Sequence, residues 1–289
     1  MAGAALPWAA QPMRRAIPLC IGVLLFLSIL RVLTVQRQAD SVHVLLIGLL
    51  GRILVAQLLL PVCLFFVAGW IGLNWQWTLA LVLIAAASPI SGSPNLVQLL
   101  SGDDALTLRW LILATALLPL TCLPVMYLLI PQQDPLLLVQ PSLKLLVLIG
   151  LSALLAWTVH TLCKAYQRVP DTQALDGAAS ITLAAMVIGL MSAIHEPDNT
   201  LESLLLTLAV AIAINAGLQV LGVVAARLLC HSPSKVVATG VIAGNRNIAL
   251  FLAALPASVI EPLLLFIACY QVPMYLTPLL GGYVYKRLL

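Results

Sequence analysis

Apolar runs long enough to cross a hydrocarbon layer follow one another almost without interruption along this chain, and that succession restricts the fold more than any motif does. About 20 apolar residues span a bilayer core as a helix. Runs of that kind, punctuated by Pro, Gly and charge, occupy approximately 16–34, 43–69, 75–102, 104–130, 142–165, 174–195, 200–229, 234–256 and 260–286. Charged residues make up only 8% of the 289 residues, against about 25% in a soluble domain, so lipid is the solvent. The expected class is an all-α polytopic membrane protein of nine transmembrane helices, one domain over 1–289. The length leaves no room for a separate soluble catalytic or nucleic-acid-binding domain. The Lys and Arg residues are scattered rather than gathered into a basic patch, which excludes a nucleic-acid partner.

Side-chain chemistry is sparse. Cys20, Cys63, Cys122, Cys163, Cys230 and Cys269 sit singly in apolar stretches with no CxxC and no histidine pair, and read as small buried hydrophobes rather than zinc ligands. No cofactor is expected. The first run follows Arg14 and Arg15 but lacks a small-residue cleavage site, so it reads as a spanning helix and not a signal peptide.

Nine crossings put the termini on opposite sides. Arg31, Arg37, Arg109, Lys164, Arg168, Arg227, Lys235, Lys286 and Arg287 fall on one side, and Arg14, Arg15 and Lys144 on the other. The positive-inside rule then predicts an N-terminus outside and a C-terminus in the cytoplasm, in a plasma (inner) membrane. All ten carboxylates fall at or near loops or helix ends. The deep charges are Arg52, whose long side chain can snorkel to the cytoplasmic surface, and Arg246.

Two of the nine segments are expected to be interrupted. The third carries Ser88-Pro89-Ile90-Ser91-Gly92-Ser93-Pro94-Asn95 between apolar halves; proline has no N–H to donate and collides with the preceding turn. The eighth carries Gly244-Asn245-Arg246-Asn247 at mid-span, and backbone opened in hydrocarbon is tolerated only where protein or a water-filled cavity receives it. Each interrupted segment precedes one last helix of its half, so helices one to four match six to nine. That is the pattern of an inverted-repeat transporter, with repeats near 16–130 and 174–286 and a midplane site between two discontinuous crossing helices.

At these residues the chain resembles the bile-acid sodium symporter family, secondary transporters with a panel and a core domain. Pro89 and Asn95, then Gly102, Ala105-Leu106-Thr107, Pro119 and Pro124, resemble its first crossing region and the helix that follows. Asn215, Gly222 and Ala225-Ala226-Arg227 resemble the helix before the second crossing, and Gly244-Asn245-Arg246-Asn247 resembles its Gly-Met-Gln-Asn crossover. The resemblance implies a nine-helix form lacking the family's first helix. It also implies an ion site, of which Gln57, Asn95 and Thr107 are the remnant. The family's sodium-binding glutamate and glutamine fall here on Ile242 and Arg246, or on Gly240 for the glutamate in a register shifted by two; its serine falls on Thr107 and its threonine one turn further on Leu111.

A hard cation wants several oxygens, usually with a carboxylate among them; here a guanidinium that is always protonated stands in the same place. Arg246 therefore reads as a tethered substitute for the coupling cation, and sodium is disfavoured. With helix N-termini expected near Leu96 and Ile248, the site favours a small organic anion. Its expected substrate-binding residues are Ser91, Ser93, Asn95, Gln98, Asn215, Asn245, Arg246, Asn247 and Gln271. The function expected is alternating-access transport of that anion with weakened or absent sodium coupling. Two alternatives stay open: a sodium-coupled symporter on a residual site, and a non-transporting receptor or structural protein. An enzyme is not expected, because His43, His160, His195 and His231 all lie near helix ends and hydrolysis needs a positioned base or metal.

Overall fold

The structure, a computed structural model, describes residues 7–34, 42–129, 135–167, 170–191 and 200–287. Among these the regular structure is helical, apart from one isolated β-bridge, and seven helices are long and apolar enough to cross a membrane. The chain is an all-α integral membrane protein. Its large outward side chains, among them Leu19, Phe66, Trp70, Trp157, Ile181 and Leu279, are apolar and exposed, as a surface solvated by acyl chains requires.

In order, the elements are α1 (Pro7–Thr34), α2 (Val42–Leu54), a π-helical turn (Val55–Leu59), α3 (Leu60–Trp70), α4 (Trp75–Ala86), α5 (Ser93–Leu99) and α6 (Asp104–Leu129). There follow α7 (Pro135–Ala165), α8 (Thr172–Met191), α9 (Leu201–Leu228), α10 (Pro233–Gly244), α11 (Ala249–Ala254) and α12 (Ala257–Ile260). A 3-10 turn (Glu261–Leu263) leads from α12 into α13 (Leu264–Lys286). Seven of the nine apolar runs carry the long helices; the other two, 75–102 and 234–256, are the pair expected to be interrupted, and both are broken. Residues 192–195 of the sixth run lie outside the described residues.

Two helices reach further toward the N-terminus than expected, and proline does not prevent it. α1 is already helical at Pro7 rather than from 16, and α7 at Pro135 rather than from 142. A proline at a helix's first position leaves no N–H unpaired, and α1, α6, α7 and α13 each carry prolines in their interior. The π-helical turn has a related cause. Pro61 cannot donate, and its ring would strike the carbonyl four residues back; the wider turn, with Leu60 N–H reaching Val55 O, lets it pass. Of the six thiols, all free, only Cys122 and Cys269 are buried, while Cys63 and Cys230 are exposed. Reading all six as buried hydrophobes was therefore too broad.

Helix ends are fixed by short-range capping. Asn74 Oδ1 accepts from Trp77 N at the start of α4, Asp103 Oδ1 from Leu106 N at the start of α6, and Thr200 Oγ1 from Ser203 N at the start of α9. α1 packs between α7 and α8 to make one layer. The remaining helices form the other group, in which α9 lies along α10 and α13, and α6 along the π-helical turn and α5.

One contact ties α2 to the turn between α9 and α10: Arg52 Nη1 lies 3.3 Å from His231 Nε2. Burial, then the charges of Arg52 and Lys235, hold the His231 imidazole below its usual value of 6.5, so the folded protein favours the neutral ring. That contribution to stability is complete above about pH 6.5 and is lost as the pH falls through the lowered native value. Thermal unfolding in detergent should therefore show an acid-side loss of stability that His231→Gln flattens.

Candidate functional site at the crossing of two broken helices

The first break begins where α4 ends at Ala86, with Ala87 in extended backbone, and Pro89 prevents the helix from resuming. The second begins at Asn245, whose backbone leaves the helical region. The two unwound stretches then satisfy each other. Ile90 N donates to Asn245 O at 3.0 Å and Asn247 N to Ser88 O at 2.7 Å, forming an antiparallel bridge between Pro89 and Arg246. Opened backbone inside an apolar protein is thus paired with opened backbone.

Arg246 closes the remaining gap. Helices α4 and α10 end at this crossing with carbonyls that have no donor of their own. The Arg246 guanidinium lies between them, Nη1 donating to Ala87 O at 2.9 Å and Nε to Ala243 O at 3.0 Å, with the residue only 2% exposed. A planar fork of five donors suits that task, and its charge offsets the partial negative charge of two helix C-termini.

Behind the second break lies a buried polar network. Asn215 Nδ2 and Tyr270 Oη both donate to Gly244 O, Thr277 Oγ1 donates to Asn245 Oδ1 at 3.1 Å, Gln219 Nε2 to Asn215 Oδ1 at 2.6 Å, and Tyr285 Oη to Gln219 Oε1 at 2.8 Å. These side chains from α9 and α13 fix the end of α10.

In front of the crossing is a cavity of about 420 Å³ between the α1–α8 layer and the broken helices. Ser91, Asn95, Gln98, Arg246, Asn247 and Gln271 line it; Ser93, Asn215 and Asn245 do not. Asn215 and Asn245 belong to the network behind, and Ser93 is fully buried with its hydroxyl unpartnered. Gln271 is 4% exposed and its Oε1 has no protein partner. Arg109 is exposed and Asp104 and Asp176 are half-buried where they line the cavity, which puts its mouth beside them. Ile21 and Leu25 of α1 and Met186 and Leu190 of α8 join Leu250 and Phe251 of α11 in one apolar cluster, and Met186 also lines the cavity. α5 and α11 are seven and six residues long and begin at Ser93 and Ala249; helices so short contribute little dipole, so positive charge at the site comes from side chains.

The ion-site remnant is dispersed. Gln57 donates to Ala114 O at 3.2 Å, Thr107 Oγ1 to Asp103 O at 2.8 Å, and Asn95 Oδ1 accepts from Arg31 Nη2 at 2.9 Å. Only the Asn95 oxygen is occupied as an acceptor, while Gln57 Oε1 has no protein partner.

The residues that sequence reasoning missed are Arg31 and Asp176. In the sequence Arg31 is a topological charge and Asp176 a helix-end carboxylate, yet Nε and Oδ1 lie 3.0 Å apart on the cavity wall. Neither carries a local signal, since each lies near a helix end and only the packing of α1 on α8 joins them. Compared with known proteins, the chain matches no protein-family model and no curated sequence.

Proposed function

We propose that the protein is a secondary transporter of small organic anions, built on the plan of the bile-acid sodium symporters and working by alternating access. One observation carries this reading: an amphipathic cavity lined from both of the paired helix breaks, between them and the layer of α1 and α8. In this reading α1–α6 and α8–α13 are inverted repeats, nine segments cross the membrane, and the layer of α1, α7 and α8 is the panel. The matched prolines support it, Pro119 and Pro124 in α6 against Pro273 and Pro278 in α13, as does the facing of the two broken helices. With the N-terminus outside, the cavity faces the cytoplasm.

Three arginines, Arg31, Arg109 and Arg246, against two aspartates, Asp104 and Asp176, give the cavity wall a formal charge of +1, which favours an anion. The apolar remainder of the wall, including Leu24, Leu108, Leu183 and Met274, suits an aryl or alkyl body. Arg246 acts as a tethered cation, so transport does not need sodium. In this reading the protein moves its solute unchanged rather than acting on it as an enzyme.

The test is counterflow in proteoliposomes of radiolabelled benzenesulfonate, with octanesulfonate and pyruvate as further probes. Exchange at equal rates in sodium and in choline is expected. Strict sodium dependence would defeat the tethered-cation reading while leaving transport standing. Failure of all three anions to exchange would defeat transport of small organic anions.

A further inference from the structure

The cavity contains an ion pair that anion binding at the crossing does not by itself require. Arg31 on α1 holds Asp176 on α8, its neighbour in the same layer, and reaches the broken helices through Asn95. All three side chains line the cavity. The pair is partly shielded, with side chains 26% and 40% exposed, so protons and solute arriving through the mouth reach it.

Each arginine offers an entering anion something different. Arg246 is committed to two carbonyls, and Arg109 stands exposed at the mouth. Arg31 already holds a carboxylate. An incoming anion that takes hold of Arg31 places two negative charges on one guanidinium, an arrangement that favours protonation of whichever group can accept a proton. If the anion is a sulfonate, that group is Asp176. Linkage makes the effect reciprocal: a proton on Asp176 frees Arg31 and tightens anion binding by the same factor.

We propose that Asp176 is a proton-coupling site and that the protein is a proton–anion symporter. One anion displaces Asp176 from Arg31, one proton from the same aqueous side goes onto the Asp176 carboxylate, and the two cross together. One ion pair breaks, another forms, and no covalent bond other than that to the proton changes. The loaded cavity carries the same net charge as the empty one, so a full cycle carries no net charge across the membrane. This rests on the transporter reading above.

The charged or titratable groups that share the cavity with Asp176 are Arg31 from α1, Asp104 and Arg109 from α6, Arg246 from the second break and Tyr275 from α13. Asp104 is the other carboxylate on the cavity wall and is therefore the control.

The probe is benzenesulfonate, which stays ionised and does not leak through lipid as a neutral acid, so any pH effect belongs to the protein. Binding to the purified full chain is expected to be roughly 5- to 150-fold tighter at about pH 5 than at about pH 8, and Asp176→Asn should abolish that dependence while Asp104→Asn keeps it. In proteoliposomes an outward-alkaline step should expel the anion, and an inward-alkaline gradient should accumulate it about tenfold per pH unit. Asp176→Asn should lose the accumulation. Arg31→Gln should bind weakly at both pH values. Counterflow without pH dependence, or a dependence that Asp104→Asn removes and Asp176→Asn leaves, would overturn the coupling and spare the transporter reading. Absence of counterflow in the wild type would overturn both.

Discussion

With Arg246 replaced by methionine, anion exchange should fall below detection and the unfolding temperature in detergent should drop by roughly 5 to 20 °C. Methionine fills much of the same volume but donates nothing, so Ala87 O and Ala243 O lose the donors now at 2.9 and 3.0 Å. A buried carbonyl left without a partner costs about 1–3 kcal/mol. Two of them, at about 2–4 °C per kcal/mol for a chain of this size, give the stated range. Arg246→Lys should lose about half as much, because a compact ammonium cannot span both carbonyls with a fixed fork. Arg246→Gln tests the electrostatic side: an amide can meet one carbonyl but brings no charge, and sodium, unlike choline, should recover part of its lost stability if the guanidinium stands where a cation belongs. A methionine variant with unchanged unfolding temperature and exchange would show that neither carbonyl depends on this side chain.

How far the sequence could be read follows from which interactions are local. Both breaks were legible because their causes lie in adjacent residues: Pro89 and Pro94 in one, consecutive polar groups around Arg246 in the other. What they do to each other was not legible. The bridge of Ile90 with Asn245 and of Asn247 with Ser88 depends on two distant stretches arriving antiparallel. The same distinction divides the expected binding residues. Ser91, Asn95, Gln98, Arg246, Asn247 and Gln271 reach the cavity, whereas Asn215 and Asn245 turn to the network behind. A polar residue in an apolar helix announces that it needs a partner; it does not say whether the partner is a solute or another helix. Arg31 and Asp176 were overlooked for the converse reason, since each lies near a helix end where charge is cheap, and only the packing of α1 on α8 brings them together. The π-helical turn was invisible as well, although Pro61 four residues after Gln57 supplies its cause.

The second large effect is expected from a single methyl group at Gly244. Its ideal Cβ would lie 2.3 Å from Gln219 Cγ and 2.7 Å from Asn215 O. Gln219 cannot simply swing away, because Asn215, Thr277 and Tyr285 hold its amide from three sides. Asn215 O is backbone and cannot rotate at all. α9 and α10 must therefore move apart, which strips Gly244 O of its bonds from Asn215 and Tyr270 and releases the chain at the start of the second break. Overpacking of this kind costs about 1–3 kcal/mol, and the lost hydrogen bonds add about 1 kcal/mol each. Gly244→Ala should accordingly lower the unfolding temperature by roughly 10 °C and abolish exchange. Gly222→Ala should act in the same direction from the other helix, since its Cβ would lie 2.6 Å from Ala243 Cβ and 2.7 Å from Thr239 O. Gly150, with nothing within 4 Å of its Cβ position, provides the comparison: Gly150→Ala should leave exchange intact and raise stability slightly, as alanine does in an unobstructed helix. If Gly244→Ala behaved like Gly150→Ala, α9 and α10 could not be as close as this, and the network from Asn215 to Tyr285 could not be what fixes the second break.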